Sequence, residues 1–457
     1  MDRKPFLTPI GFSLALIFLV FSAIWVCAPS EGRSEISCSP TAARYTDISL
    51  PPPDYNTFLP PDEGDTYCDP TFGTEVKRLT SSGKAEVTNS EISYFNINDS
   101  YFLATDHNIC YLMDGKDGHK IKALGGGTMR PWWIRWARGN YYTASGVRNK
   151  LDPPRHFYKY EGNEIRLYNI DTLDYVVLRK FTEYTEIGPA GGEGDLSKDG
   201  KYWLLNGTKP DGQQVLFVYD LFKDVKGPES LFDLGCVGGN EPGVDYATIS
   251  PSGYYVVVAW HAGPSDPFEG HYGVEVFERK TWKFLRRIHP TRIHYELGYD
   301  AAGQEVLFAP AGNSSEDLRS FNIPGLALGD LISVRLADGV ATKLLDVPKW
   351  ADSLYSFANG QNQYILMALE AKSDSPEKLW SPYWGEILAV PTDGSGEAIR
   401  LVHHRSTKVG KQSHKAYQPD FVVNNKGTKI VFKSTFGLGG TDLYLIDSGL
   451  DKIAIMK

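Results

Sequence analysis

Several side chains that could perform acid–base chemistry precede short apolar segments of this chain. His294 and His414 are of first interest, because imidazole titrates near neutral pH and also ligates metals. Arg130 and Arg292 could neutralise a negatively charged group, and Tyr417 could accept or donate a proton. We treat these five residues as the candidate catalytic groups.

A second set combines carboxylates, aromatic rings and one more histidine. Around one opening, such a mixture packs poorly but makes a good polar pocket. His403 and His404 are adjacent, so on a strand they point to opposite faces, and we expect only His404 to face the pocket. The alternative is that these groups bind water and one another. The candidate ligand-binding residues are Glu193, Asp195, Asp245, Tyr246, Trp132, Glu296, Tyr355 and His404.

A divalent metal (Mn, Ca or Zn) is a further possibility at the same opening. His294, Gln412 and His414 could supply its ligands, although their spacing matches no diagnostic metal motif. The sequence contains no Gly-x-Ser-x-Gly elbow, no His-Glu-x-x-His pair and no phosphate loop. These absences count against a serine peptidase and against nucleotide binding through a phosphate loop.

The elements that must position these residues are indicated by a phrase that recurs seven times. It consists of an apolar strand, a tight turn of small residues and a second apolar or aromatic strand. Clear copies occupy 194–205, 247–258, 297–308 and 421–432, and weaker ones surround Asn98, Gly139 and Gly360. Such a period is typical of blades or arrays.

Third and fourth strands follow most copies, so the sequence predicts an all-β, seven-bladed β-propeller of four-stranded antiparallel blades. The segment 74–80 could complete blade seven, in competition with 453–456. The first residues of the innermost strands would then surround the mouth of a central channel. The predicted blades are 91–124, 130–181, 193–234, 245–288, 294–345, 353–402 and 414–447.

Loop lengths predict that the two faces of the propeller differ. Turns between first and second strands are tight, whereas second-to-third connections are long at 147–162, 262–271, 309–329 and 371–384. These long connections should share one face with the crossovers between blades. Binding and catalysis concentrate on long loops held by a rigid scaffold, so we expect the site on that face.

The N-terminus predicts export. Arg3 and Lys4 precede an apolar run, so residues 1–28 are a signal peptide or a membrane anchor, with 10–28 as the possible tether. Residues 29–70 read as a Pro-rich extended linker and 71–457 as the propeller, which we expect to be monomeric. The propeller would be periplasmic, secreted or anchored facing outward, which is an extracytoplasmic location in each case.

Four cysteines lie beyond the apolar run. Cys38 and Cys68 could be joined in a disulfide that ties down the linker, while Cys110 and Cys236 could be free buried thiols. The net charge of -9 is spread along the chain. It argues against nucleic acid as a partner, because a nucleic-acid binder needs a basic surface.

The turn Ser250-Pro-Ser-Gly253 resembles the turn of TolB-type (WD40-like) propellers, and the resemblance covers the seven blades. Propellers of that type include periplasmic protein-binding modules and oligogalacturonate lyases. Gln412, His414 and His294 are similar in placement to the metal-binding and catalytic residues of those lyases. The lyase pattern has a histidine before the proline of that strand, where this chain has Gln418.

Two functions are expected from these patterns. The first is an exported propeller that binds an envelope protein or an acidic glycan at the channel mouth. The alternative is a polysaccharide (uronate) lyase acting by β-elimination. In that reaction an arginine or a metal neutralises the substrate carboxylate, and a histidine or tyrosine removes the adjacent proton.

Overall fold

The structure is a computed structural model that describes residues 37–452, apart from 54, 56, 89, 128, 140, 143–147, 150–152, 192–193, 239–241, 313, 348–352, 358–362 and 371–379. The chain divides into two compact units, Met1–Ile36 and Ser37–Lys457. The predicted signal or anchor, with its tether at 10–28, lies outside the described residues. Within the described part of the chain, no helix is both long enough and apolar enough to cross a membrane.

Seven antiparallel sheets make up the second unit, which confirms the predicted seven-bladed propeller. Blades one and two contain Ala85–Glu86, Tyr101–Asp106, Ile109–Asp114 and Lys120–Gly126, then Ile134–Trp136, His156–Glu161, Glu164–Asn169 and Tyr175–Lys180. Blades three and four contain Glu186–Pro189, Tyr202–Thr208, Gln214–Asp220 and Val225–Glu229, then Val244–Ile249, Tyr255–Trp260, Val274–Glu278 and Phe284–His289. Blades five and six contain Glu296–Tyr299, Glu305–Pro310, Leu331–Arg335 and Ala341–Leu345, then Ser353–Phe357, Tyr364–Leu369, Glu386–Pro391 and Ile399–His403.

Blade seven joins the two ends of the propeller. Its C-terminal strands are Phe421–Val423, Lys429–Ser434 and Asp442–Asp447, and the strand Glu75–Arg78 pairs with the last of them. The predicted closing strand at 74–80 is therefore confirmed, whereas its competitor at 453–456 lies outside the described residues. A fifth strand, Thr66–Cys68, pairs with Glu75–Arg78 and covers the outer edge of that blade.

A few short elements lie outside the blades. The hairpin strands Tyr141–Tyr142 and Arg148–Asn149 pair with each other. The short helical turns among the described residues are Ala42–Tyr45, Pro131–Trp133, Pro153–Arg155, Ser315–Ser320 and His414–Tyr417.

The recurring phrase produces one specific turn. In blade four, the backbone N–H of Tyr255 donates to the Ser250 hydroxyl (3.1 Å), and that of Gly253 donates to the Ser250 carbonyl (2.8 Å). Gly253 has φ +74°, and a Cβ there would lie 2.2 Å from the Tyr202 ring, so glycine is required. Equivalent acceptors in other blades are Asn96, Ser197, Asp300 and Asn424.

In blade one an aspartate takes the place of that glycine. Asp99 has φ +62°, a conformation that residues with a Cβ rarely adopt. Its carboxylate accepts hydrogen bonds from the Asn425 backbone (2.9 Å), the Asn425 side chain (2.7 Å) and the Asn424 side chain (3.2 Å). Asp99 therefore links blade one to blade seven at the point where the ring closes.

The two faces differ largely as expected. Long second-to-third connections in blades four, five and six occupy 261–273, 311–330 and 370–385, and a long crossover at 404–420 leads into blade seven. In blade two, the prediction that 147–162 connects the second strand to the third is wrong. The strand His156–Glu161 pairs with Ile134–Trp136 as well as with Glu164–Asn169. Its long connection, 137–155, therefore joins first to second strand and lies on the opposite face.

The segment before the first strand follows an extended path but is held against blade six. We call residues 37–65 the strap. Arg400 Nη1 donates to the carbonyl of Ile48 (2.8 Å), and the Ser49 hydroxyl donates to the carbonyl of Trp380 (2.7 Å). A disulfide joins Cys38 to Cys68, while Cys110 is a buried free thiol and Cys236 is an exposed one. The expectation that Cys236 is buried is thus wrong.

Asp99 provides a test of ring closure. Asp99→Ala removes the carboxylate and keeps a Cβ at positive φ, so we expect a loss of about 2–3 kcal/mol in the free energy of unfolding. Asp99→Gly removes the same hydrogen bonds without backbone strain and should lose about 1 kcal/mol less. Urea unfolding of both variants compares them, and a glycine variant less stable than the alanine variant would contradict the assignment.

Candidate functional site

Three carboxylates converge in the central channel. Glu91, Asp195 and Glu296 come from blades one, three and five, and they line a cavity together with Ser90. The cavity volume is about 40 Å³, which leaves room for water but not for a sugar ring. Glu91 lies outside the strands of blade one, and Asp195 follows the strand Glu186–Pro189. The sequence had predicted that Glu91 and Asp195 lie at the start of innermost strands, and this is wrong for both residues. Glu193 lies outside the described residues.

Asp195 is bound into the structure. Its carboxylate accepts from Arg138 (2.5 Å) and from the Ser93 backbone N–H (3.2 Å), and it lies 3.8 Å from the Arg135 guanidinium. Burial alone would raise the pKa of Asp195, but the two guanidinium groups outweigh burial and lower it. Asp195 thus holds blades one, two and three together as a carboxylate.

Glu296 has the opposite character. Burial raises its pKa well above the usual value, and the charges of Glu91 and Asp195 raise it further. Its Oε1 accepts a hydrogen bond from the Leu297 backbone N–H (3.0 Å). Burial and the two neighbouring carboxylates therefore favour the neutral form of Glu296.

Above the channel, Asp245, Arg292 and His261 form a closed triangle of hydrogen bonds. The Arg292 Nε donates to Asp245 Oδ2, and its Nη1 donates to His261 Nδ1 (3.0 Å). His261 Nε2 lies 2.8 Å from Asp245 Oδ1, so its proton is on that nitrogen. The sequence had pointed to Asp245 and Arg292. It missed His261, which follows a second strand rather than preceding a first one.

The predicted histidines His294 and His414 lie on the same face as this triangle, because each precedes the first strand of its blade. His414 Nε2 lies 2.7 Å from a carboxylate oxygen of Glu370, a residue that sequence reasoning missed. His294 is exposed and close enough to Asp420 to affect its pKa. Burial raises the pKa of Asp420, and its ion pair with Lys433 (2.6 Å) opposes that shift.

At the channel mouth, basic side chains are more exposed to solvent than the carboxylates that they contact. The side chains of Arg292 and His414 are 47% and 46% exposed, whereas those of Asp245 and Glu370 are 15% and 7% exposed. Lys415 and His294 are also exposed. Basic side chains therefore face solvent, and the carboxylates of Asp245 and Glu370 lie beneath Arg292 and His414.

Four other predicted site residues, Tyr246, Arg130, Trp132 and Tyr355, lie in strands or in a connection between blades. Tyr246 is buried, donates to the Ile293 carbonyl (3.3 Å) and stacks on Tyr295 with ring centroids 4.9 Å apart. The Arg130 guanidinium lies over the Trp132 ring (5.0 Å) on the crossover between blades one and two. Tyr355 lies in the first strand of blade six.

His404 does not face the mouth, which corrects the prediction. It is fully buried, its Nε2 bonds the Leu369 carbonyl (2.9 Å), and its Nδ1 accepts from the Ser406 backbone (3.0 Å). Burial lowers its pKa to about 4. The neighbouring His403 is equally buried, so this pair fixes the end of blade six.

Two of the three predicted metal ligands, Gln412 and His414, already have protein partners. Gln412 donates to the Gly439 carbonyl (2.6 Å) and accepts from the Val409 backbone (2.9 Å), so its amide is used within its own loops. Tyr417 lies beside His414, with ring centroids 5.4 Å apart. In the described part of the chain, three histidine, cysteine or carboxylate donors come within 4.8 Å of one another only at Asp114, Asp117 and His119.

No family model matches the sequence, and no curated protein matches it either. Among solved structures, the chain is similar to the β-propeller domain of Cps50 (Swd1) from Myceliophteria thermophila. The TM-score is 0.40 and the identity 11%, over 82% of this chain and 99% of that chain.

Two further solved structures are similar at the same low level. A chain of the mitotic checkpoint complex gives a TM-score of 0.42 and 9% identity, over 84% of this chain and 96% of that chain. Dihydro-heme d1 dehydrogenase NirN in complex with DHE gives a TM-score of 0.35 and 12% identity, over 84% of this chain and 70% of that chain. Similarity at this level concerns the propeller fold alone. The narrower resemblance to TolB-type propellers stays a prediction.

The two channel carboxylates make a matched test. Asp195→Asn leaves two buried guanidinium groups without their counter-charge, so we expect a loss of about 3 kcal/mol in the free energy of unfolding. Glu296→Gln replaces a group whose neutral form is favoured by its surroundings and keeps an acceptor oxygen, so we expect a change within about 1 kcal/mol. Denaturant unfolding at neutral pH measures both variants. Equal losses would contradict the opposite directions of the two pKa shifts.

Proposed function

We propose that this protein is a non-catalytic binding module that takes an acidic segment of a partner protein at the channel mouth. The observation that carries the proposal is the layered charge there. Arg292, His294, His414 and Lys415 face solvent, and carboxylates lie beneath three of them. An acidic chain would meet these basic side chains first, and electrostatic complementarity of this kind speeds and orients association.

The shape of the face supports binding of an extended partner. Long second-to-third connections from blades four and five lie on the same face as these basic side chains. The cavity below holds only water-sized groups. A partner would therefore lie across the loops rather than enter the channel.

The alternative function is a uronate lyase that uses a divalent metal, and the structure gives it less support than the binding module. A lyase needs a base that is available to substrate, and His414 and His261 are each already bound to a carboxylate. Gln412, the ligand suggested by the resemblance, is occupied by backbone groups. Both the lyase and the metal therefore stay predictions.

We further propose an extracytoplasmic location. The disulfide between Cys38 and Cys68 supports it, because structural disulfides persist in oxidising compartments. The apolar run at 10–28 is the second support. The envelope protein expected from the sequence is consistent with an acidic partner in that compartment.

Substitutions at the mouth test the proposal. In Arg292→Ala/Lys415→Ala, binding of a poly-glutamate peptide should weaken about tenfold, and added salt should weaken wild-type binding as well. The matched control is Lys280→Ala/Lys426→Ala, which removes two exposed cations from turns on the opposite face and should bind as the wild type does. Isothermal titration calorimetry measures all three proteins.

Polygalacturonate serves as the competing ligand in the same experiment. If it binds at the mouth while the peptide does not, the partner is a glycan and the protein-binding proposal is wrong. Release of an unsaturated product, detected by its ultraviolet absorbance, would establish the lyase instead. Equal loss of peptide binding in the mouth variant and the control variant would also contradict the proposal.

A further inference from the structure

A second cavity lies between the strap and blades six and seven. Its walls are formed by Tyr55, Phe58 and Leu59 of the strap, by 405–410 of the crossover, and by 436–438 of blade seven. Its volume is about 360 Å³, near the lower end of the range for small-molecule sites. None of these residues belongs to the channel mouth, so a ligand in this cavity would be independent of the proposed function.

A buried guanidinium lines this cavity. Arg405 is 4% exposed, and among the described residues no carboxylate lies within 4.0 Å of it. Its Nη2 makes a long hydrogen bond to the Pro53 carbonyl (3.3 Å), and its Nε has no partner. Burial raises the pKa of the nearby Tyr67, and Arg405 opposes that shift, so the phenol is a polar neighbour.

Two other buried arginine side chains are neutralised, since Arg400 lies 2.5 Å from Glu386 and Arg138 lies 2.5 Å from Asp195. Arg44 is also buried, and among the described residues no carboxylate lies within 4.0 Å of it. A buried cation without a counter-charge is unfavourable, because it loses hydration and gains no ion pair. Arg405 is a buried cation of this kind that adjoins a cavity.

The rest of the lining combines apolar side chains with Thr407, glycines and one more cation. The Arg405 guanidinium lies over the Phe58 ring (4.1 Å). Leu59 and Leu438 are 71% and 58% exposed, so both side chains are open to solvent at the cavity. Lys408 supplies the second cation, and no carboxylate occurs among the described lining residues.

The backbone of the wall is unusual as well. Arg405 has φ +52° and Phe436 has φ +43°, a left-handed conformation that is costly for side chains of this size. Strained positions of this kind concentrate at binding sites, where the surrounding structure holds them.

From these observations we infer that the cavity binds a carboxylate carried on an apolar or aromatic group. The carboxylate pairs with Arg405 and Lys408 and supplies the counter-charge that the buried guanidinium lacks. The apolar group packs against Phe58, Phe436 and Leu438. A small aromatic acid and the C-terminal residue of a peptide share this chemistry.

Calorimetric titration of the full protein tests the inference. The probes are N-acetyl-phenylalanine and phenylpropionate, each compared with its own amide, together with inorganic phosphate. We expect the acids to bind, with amides and phosphate at least about tenfold weaker, because a charged hydrogen-bonded pair is lost in one case and apolar contact in the other. Tighter binding of N-acetyl-phenylalanine than of phenylpropionate would point to a peptide terminus, and the reverse to a small aromatic acid.

Variants assign the site. Arg405→Met should abolish binding of the acids, and Lys408→Ala should weaken it several-fold. Lys411→Ala, which removes an exposed cation of the same crossover outside the cavity, is the control and should bind as the wild type does. Circular dichroism checks folding, and if Arg405→Met unfolds, Lys408→Ala and the acid–amide comparison on the wild type decide. Absence of acid binding, or equal binding of acid and amide, would overturn the inference.

Discussion

Ring closure is the constraint on which the other features depend. The strand Glu75–Arg78 pairs with Asp442–Asp447, so one blade is built from both ends of the propeller. Without that pairing, blades one and seven would each have an open side, and unpaired edges favour association with other chains. Closure also sets the channel width, because seven first strands must surround one axis. Glu91, Asp195 and Glu296 meet for this reason, although they lie far apart in sequence.

Within the closed channel, surroundings decide what each carboxylate does. Two guanidinium groups lower the pKa of Asp195, whereas burial and neighbouring carboxylates raise the pKa of Glu296. Both are acidic residues in a similar position, so residue type alone does not reveal the difference. At the mouth, the carboxylates of Asp245 and Glu370 lie beneath the more exposed side chains of Arg292 and His414. The channel interior therefore stabilises the ring, and the exposed chemistry lies above it.

The sequence predicted the features that are encoded locally. The turn around Ser250 repeats because one hydroxyl or amide oxygen and one glycine define it, so blades could be counted and the closing strand at 74–80 found. Pairs between elements could not be predicted in the same way. His261 and Glu370 come from the ends of second strands, and only the fold brings them beside Arg292 and His414. His404 was misplaced because alternation along a strand does not reveal that both faces are covered.

The blade shared by the two ends sets an order of events during synthesis. A ribosome releases Glu75–Arg78 early, but its partner strand emerges only after more than three hundred further residues. Until then the nascent propeller is an open arc whose first and last sheets are exposed to other chains. Folding chaperones that shield such an arc would act longest on this N-terminal strand, and a ribosome stalled within the final blade would release a product that cannot close.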